Sequence, residues 1–172
     1  MRATVISNPT AGKMASRDHL TEALHVLEGD GWDVEVHRSR GPGDATRIAR
    51  EAVRAKRDAL IVAGGDGTIN EAVQALAGTS TALGFLPYGT VNVWAREIGL
   101  PLSPRDAAVS LLSGRTETLD LGIANDRYFL LMAGIGFDSE VVRRARRLER
   151  FKSRFGILPY VAVTLATATF YR

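Results

Sequence analysis

Along the first two thirds of the chain, short apolar runs alternate with longer stretches in which apolar residues recur every three or four positions. Residues 4–7 predict a first strand. Residues 16–28 place Leu20, Ala23, Leu24 and Leu27 on one face, the pattern of an amphipathic helix. Residues 32–37 alternate apolar and polar like a strand, and Asp44 reads as the cap of a helix running to about Lys56. Residues 59–63 form an apolar run of the kind a buried parallel strand uses. Thr68 and Glu71 then read as a capping box that opens a helix carrying Ala72, Val73, Ala75 and Leu76, with a stop at Gly78. Residues 82–86 predict a strand ended by Pro87, residues 91–98 a helix, and residues 104–112 a helix with Pro104 at its start and Gly114 after its end. Repeated β-α units predict an α/β fold, Rossmann-like, with a mainly parallel sheet covered by helices on both faces. Ligands in such sheets bind beyond the carboxyl ends of the strands, so the loops after Ser7, His37, Ala63 and Leu86 are expected to meet at one edge.

The pattern changes after Gly114. Residues 116–124 and 127–133 predict strands joined by Asn125-Asp126, a tight hairpin turn. The expected division is therefore an α/β domain over residues 1–114 and the start of an antiparallel β domain over 115–172. Within the second part, a helix from Ser139 puts Val141, Ala145, Leu148 and Phe155 in one stripe and Arg143, Arg147, Arg150 and Arg154 in another. An uncharged segment, residues 160–171, follows. One hairpin and a helix are too little to bury a core. The end of the chain reads as a truncation, or as a segment that packs on the first domain.

Composition narrows the chemistry. The chain has 172 residues, 45% of them hydrophobic, enough for one domain with a core. It has no cysteine, which excludes disulfides, thiolate metal sites and cysteine nucleophiles, and allows a cytoplasmic location. His19, His25 and His37 lie too far apart to suggest a metal-ligand set, and no metal-ligating residues are assigned. The apolar part of the N-terminus is too short for a signal peptide, and no apolar run is long enough to cross a bilayer. The net charge is only +3, but residues 143–154 hold six arginines and one lysine against Glu149 alone. A basic amphipathic helix of this kind suits an anionic membrane surface; the plainer reading is a solvated charged face. Phe151 and Phe155 suit core packing better than base stacking, so no nucleic-acid partner is expected.

Residues 60–71 carry the most specific chemistry. Three glycines, Gly64, Gly65 and Gly67, follow the apolar strand at once, and a helix N-terminus follows them. Glycine lets backbone N–H groups face a ligand with no Cβ in the way, and the helix start favours an anion, so the segment reads as a phosphate cradle. Asp66 sits inside it. A carboxylate beside a phosphate is repulsive unless a metal ion or a transferable proton lies between them, which points to phosphoryl chemistry. The plainer alternative is a tight turn with an aspartate for solubility. A second glycine-threonine loop, Pro87-Tyr88-Gly89-Thr90-Val91-Asn92, stands between the next strand and helix.

These segments resemble the diacylglycerol kinase catalytic domain family, which includes bacterial lipid kinases and the sphingosine kinases; the wider superfamily includes the NAD kinases. The resemblance rests on Gly64-Gly65-Asp66-Gly67-Thr68 with Asn70-Glu71, on Pro87-x-Gly89-Thr90-x-Asn92, and on Asn8-Pro9-x-x-Gly12 before Lys13. Ser39 stands where the family usually has a threonine, ahead of Gly43-Asp44-Ala45. Gly134-Ile135-Gly136-Phe137-Asp138 is similar to a segment near the family's lipid site; Asp138 reads as a helix cap or a hydroxyl acceptor. Val93 stands where the family often has an aspartate, so no metal role is carried to that position.

The resemblance implies an ATP-dependent lipid kinase that phosphorylates a hydroxyl of diacylglycerol or a related lipid, with this chain carrying mainly the ATP-binding half. It implies ATP and Mg²⁺ as cofactors. The nucleotide contacts would be Asn8, Lys13, Ser39, Gly64, Gly65, Asp66, Gly67, Thr68, Ile69, Asn70, Gly89, Thr90 and Asn92, with Asp66 as the catalytic residue. The expected partners are the lipid, an anionic membrane surface and, as an allowed assembly, a second copy of the chain. The expected location is the cytoplasm, peripheral on the inner membrane face. The alternatives are an NAD kinase-like enzyme and a non-catalytic nucleotide-binding module.

Overall fold

The computed structural model describes residues 1–12, 17–146 and 158–170. They form two compact units, Met1–Leu131 and Met132–Arg172. The first is built on a four-stranded sheet. Its strands are β1 (Arg2–Ser7), β2 (Asp33–Arg38), β3 (Ala59–Gly64) and β4 (Ala82–Pro87), in the order β2-β1-β3-β4. Every pairing is parallel, with Ala3 to Ser7 in register against Ala59 to Ala63 and against Val34 to Arg38. The mainly parallel α/β architecture expected from the alternating pattern is the one observed.

Period-two alternation splits the central strands between two cores. Ala3, Val5, Ile61 and Leu86 face one cluster, under α1 (Arg17–Gly29) and α5 (Pro104–Ser113). Ile6, Leu60, Val62 and Phe85 face the other, under α2 (Asp44–Arg54) and α3 (Asp66–Leu76). The placement follows from handedness. The β1-to-β2 connection runs toward one edge of the sheet and the next two run toward the other, so right-handed crossovers put α1 opposite α2 and α3. β3 is buried along its whole length, which explains its unbroken apolar run. Each of Leu60, Ile61 and Val62, fully buried, contributes roughly 1.5–3 kcal/mol of transfer free energy.

Helix boundaries fall close to those expected, but two start signals act differently. Gly65, not Thr68, is the N-cap of α3, and no side chain caps it. Thr68 lies inside the first turn, where it accepts a hydrogen bond from Asn8 Nδ2 at 2.7 Å. Glu71 does not reach back to its own helix start; its carboxylate accepts from the Gly43 N–H at 2.9 Å. The expected capping box is thus replaced by two long-range bonds. Likewise Gly43, at φ +85°, is the N-cap of α2, and Asp44 is its first helical residue. A short α4 (Val93–Glu97) follows the loop after β4.

The predicted hairpin forms as β5 (Gly122–Ala124) and β6 (Arg127–Phe129), shorter than the pattern suggested. Asn125 and Asp126 both take positive φ, 47° and 60°, as a tight primed turn demands. Gln74 fastens the hairpin to α3. Gln74 donates to Tyr128 O at 2.7 Å and accepts from Tyr128 N at 3.1 Å, imitating a strand partner. Leu130, just beyond β6, packs against the α2/α3 core.

In the second unit, α6 (Phe137–Arg146) starts two residues before the Ser139 expected from the pattern. Its Val141 and Ala145 pack with Val163 of α7 (Leu158–Phe170). Asp138 is the second residue of α6, and its carboxylate folds against Gly134, where a Cβ would collide with it. Of the arginine stripe, Arg143 pairs with Glu140; Arg147, Arg150 and Arg154 lie outside the described residues, as do Leu148 and Phe155. Among the described residues no helix is long and apolar enough to cross a membrane.

Candidate nucleotide site

In this strand order β1 and β3 are neighbours whose onward connections leave in opposite directions. That is the topological switch point, where the loops part and leave a crevice. Asn8 stands just past β1, and Gly65 just past β3. Asn8 ties the two together: its N–H donates to Ala63 O at 2.9 Å, and its Nδ2 donates to Thr68 Oγ1. Its Oδ1 accepts from the N–H and hydroxyl of Thr10, which shapes the turn toward Gly12. Lys13 lies outside the described residues.

The two glycine loops touch backbone to backbone. Tyr88 N and Gly89 N both donate to Gly64 O, at 2.8 and 3.1 Å. A Cβ on Gly89 would stand 2.8 Å from Gly65 Cα and 2.5 Å from Asn92 Oδ1. A Cβ on Gly64 would stand 2.8 Å from Thr68 Oγ1. Even Gly12 joins the cluster, since its Cβ would lie 3.2 Å from Thr90 Oγ1 and 3.1 Å from Tyr88 O. At Gly64 and Gly89 these contacts fall below 3.0 Å, so glycine is needed there for close approach; at Gly12 the fit is tight. Tyr88 fastens the second loop from beneath, its ring fully buried in the α1/α5 core. Burial, with a smaller push from Glu22, raises its phenol pKa, and the hydroxyl finds no partner among the described residues.

The start of α3 offers what an anion needs. The N–H groups of Gly65, Asp66 and Gly67 have no acceptor among the described residues, as expected for a first helical turn. Gly67 is exposed, and Gly65 and Asp66 are half-buried. Positive helix-dipole charge adds to these donors.

Asp66 turns away from its own helix. Its Oδ2 accepts from Val93 N at 3.0 Å and its Oδ1 from Trp94 N at 3.1 Å. It thereby serves the N-terminus of α4, whose own N-cap, Asn92, makes no side-chain cap bond. Asn92 takes φ 52°, a region asparagine tolerates better than most residues, and donates to Gly89 O at 2.9 Å. Its Oδ1 is buried and has no hydrogen-bond partner among the described residues.

The remaining expected residues are placed as follows. Ser39 follows β2; it is buried, and its N–H donates to Ser7 O at 2.9 Å. Thr90 is exposed at the crest of the second loop. Asn70 is half-buried, and its carbonyl accepts from Gln74 Nε2. Ile69 is a core residue: its side chain is fully buried and its N–H is bonded to Gly65 O. No residue pattern signals the Gly12 contact, the Glu71 link to α2 or the Gln74 clamp. Each joins residues 25 or more positions apart, and no local motif marks them.

The fold is a doubly wound α/β domain with two interlocked glycine loops at its switch point, the place where sheets of this class bind their ligands. The particular family follows from comparison. The sequence model of the diacylglycerol kinase catalytic domain matches residues 2–124, and the chain belongs to that family. It is 37% identical over 162 residues to a diacylglycerol kinase of Bacillus subtilis, covering 92% of this chain and 53% of that protein. A diacylglycerol kinase of Staphylococcus epidermidis is 39% identical over 137 residues, covering 78% of this chain and 43% of the relative. The crystal structure of a diacylglycerol kinase from Bacillus anthracis superposes with a TM-score of 0.73 at 29% identity, over 88% of this chain and 54% of that one. The chain spans about half the length of the curated relatives it matches.

Proposed function

We propose that this chain is the nucleotide-binding half of an ATP-dependent lipid kinase, acting on a hydroxyl of diacylglycerol or a related long-chain alcohol. The observation that carries the reading is the junction at the switch point. Three N–H groups at the start of α3, without an acceptor among the described residues, stand beside a second glycine loop pressed against the first. Such a cradle suits the phosphates of ATP. Asn8, Thr68 and Thr90 supply polar groups around it, and Ser39 adds a hydroxyl from the neighbouring strand. Residues 115–172 would open the lipid-binding part, with the hairpin fastened to α3 by Gln74.

Asp66 is the acidic candidate. Each of its oxygens already accepts one N–H and keeps a second lone pair, so one carboxylate is available to a metal ion held mainly by phosphates. That fits Mg²⁺, which would supply charge neutralisation on the transferring phosphoryl group. The α4 amides that hold Asp66 also fix its direction, and through it the spacing of the two loops.

Membrane contact belongs to the same reading. The stripe of Arg143, Arg147, Arg150 and Arg154 would attract an anionic surface by about 1 kcal/mol for each residue near it. Co-sedimentation with anionic but not neutral vesicles, lost when all four are changed to Gln, is the expected outcome. Sedimentation equal to wild type in that variant would assign the stripe to a solvated face.

The deciding experiment measures phosphate transfer from ATP to diacylglycerol in mixed micelles, with NAD as the competing acceptor, using a version joined to a relative's C-terminal half. Transfer to lipid supports the proposal. Transfer to NAD alone would sink it in favour of an NAD kinase-like enzyme. ATP binding with no transfer to either would make this a binding module.

A further inference from the structure

Three polar residues recur at every fourth position of α3: Asp66, Asn70 and Gln74. The spacing puts them on one side of the helix, and all three are half-buried. The outer two are committed to backbone groups of later elements. Asp66 holds the Val93 and Trp94 N–H groups at the start of α4. Gln74, about 12 Å from Asp66 along the axis by helical rise, holds both backbone groups of Tyr128 in β6. Its Nε2 also donates to Asn70 O at 2.9 Å, which fixes its direction. Asn70 stands between them, about 6 Å from Asp66 along the axis. Its side-chain carboxamide makes no hydrogen bond to a described residue. The row is thus closed by backbone at both ends and carries one uncommitted polar group in the middle.

We propose that Asn70 contacts the acceptor lipid and not the nucleotide. Its carboxamide takes the uncharged polar end of a diacylglycerol-type molecule, either the hydroxyl to be phosphorylated or an ester carbonyl beside it. The inference rests on the lipid kinase reading and deepens it. The N–H groups that can hold phosphate belong to the first turn of α3, at Gly65, Asp66 and Gly67. Past that turn the backbone N–H groups are committed inside the helix, so an anion finds no further donors at Asn70. In phosphoryl transfer the acceptor hydroxyl is brought to the group that takes its proton, in line with the leaving oxygen. Asp66 is the acidic candidate, and from it the next polar side chain on that side of α3, toward the hairpin, is Asn70. A carboxamide carries two donors, one acceptor oxygen and no charge. It therefore matches a hydroxyl and ester carbonyls, which are neutral, and adds no repulsion beside phosphates. A charged acceptor would call for an ionic partner at this place.

The test titrates the intact chain with dioctanoylglycerol, a short-chain diacylglycerol, and separately with ATP. Nuclear magnetic resonance follows the side-chain NH2 pair of Asn70, identified by its absence in Asn70→Ala, and the backbone amides of residues 65–67. The lipid is expected to shift the Asn70 pair, and ATP the 65–67 amides. Alanine is the better helix former, so Asn70→Ala should keep the wild-type circular dichroism. It should bind dioctanoylglycerol roughly fivefold more weakly, the size of one lost neutral hydrogen bond, and ATP within about twofold of wild type. Gly65→Val should give the reverse, losing ATP and keeping the lipid. Unchanged lipid affinity in the folded Asn70→Ala variant would overturn the assignment. So would a loss of ATP affinity as large as the loss of lipid affinity, which would return Asn70 to the nucleotide site. A wild-type chain that binds ATP but no lipid would overturn it too, and would leave the nucleotide reading standing. One that binds no ATP would remove the kinase reading itself, and this inference with it.

Discussion

Two strand-to-helix turns at one sheet edge begin with the same dipeptide, Gly43-Asp44 and Gly65-Asp66, and use it in opposite ways. At α2 the glycine is in the left-handed region, φ +85°, and the aspartate bonds close by, to Arg40 N and Arg47. At α3 the glycine is extended, φ −114°, and the aspartate reaches 27 and 28 residues along the chain to the amides of Val93 and Trp94. The first aspartate bonds within its own turn, while the second joins two loops. The first requires glycine for its backbone angle, the second for the space that Gly89 occupies. The same letters thus set where a helix begins, while distant partners decide what its first carboxylate does.

The largest expected break is Gly65→Val. Its backbone angle suits any residue, so the harm is purely steric: a Cβ would stand 3.2 Å from Gly89 Cα and the branched methyls would cover the free N–H groups. ATP affinity is expected to fall by roughly two orders of magnitude or more, about 2.7 kcal/mol, with circular dichroism unchanged. Titration calorimetry with ATP reads it directly. Wild-type affinity in a folded variant would remove the cradle from the nucleotide site.

Asp66 is tested next, in two parts. Asp66→Ala leaves two amides of α4 without their charged acceptor and should destabilise the fold by about 2 kcal/mol, measured by urea unfolding. Asp66→Asn preserves size and one acceptor. In a version carrying the remaining half of the protein, it should lower phosphoryl transfer by roughly two orders of magnitude, as expected for a lost acid–base or metal partner. ATP binding without Mg²⁺ should hold or improve. If turnover survives in Asp66→Asn while Asp66→Ala unfolds easily, the residue is a joint between loops and nothing more.

These contrasts also mark how far the sequence could be read. The fold was legible because burial imposes periodicity: β3 lies inside both layers and reads as one apolar run, and α2 buries Ala45, Ile48, Ala49 and Ala52 at helical spacing. Local turn chemistry was legible too, in Pro104 at the start of α5 and Asn125-Asp126 in the hairpin. The capping box was misread because Thr68 and Glu71 have partners 60 and 28 residues away that outcompete the local bonds. The glycine loops could be found from composition. That they press against each other could not, since contact between loops is set by strand order.

Gly43→Ala probes the turn at α2. No atom lies within 4 Å of where the new Cβ would stand, so the cost is conformational, about 1–2 kcal/mol for a left-handed alanine. Unfolding experiments should show that loss with ATP affinity unchanged. An equal loss of ATP binding would show that the α2 turn, through the Gly43 link to Glu71, is coupled to the cradle.

The smallest expected effect extends the comparison to a third helix start. Glu140, in the first turn of α6, behaves like Asp44 and bonds locally, to Arg143 and Arg144 at 2.7 and 2.6 Å. These side-chain hydrogen bonds lower its pKa from 4.5 to about 2. A carboxylate whose pKa is depressed on folding stabilises the fold above its unfolded value, and the contribution fades as pH falls through the folded one. The window is therefore about pH 4.5 down to 2. The partners are exposed guanidinium groups, and salt screens such pairs, so the effect should be small and smaller still at high ionic strength. The difference in helical circular dichroism between wild type and Glu140→Gln should be constant above pH 4.5 and shrink toward pH 2. A difference that persists unchanged at pH 2 would mean the charge pair does not hold α6, and that only carboxylates with distant partners matter to this fold.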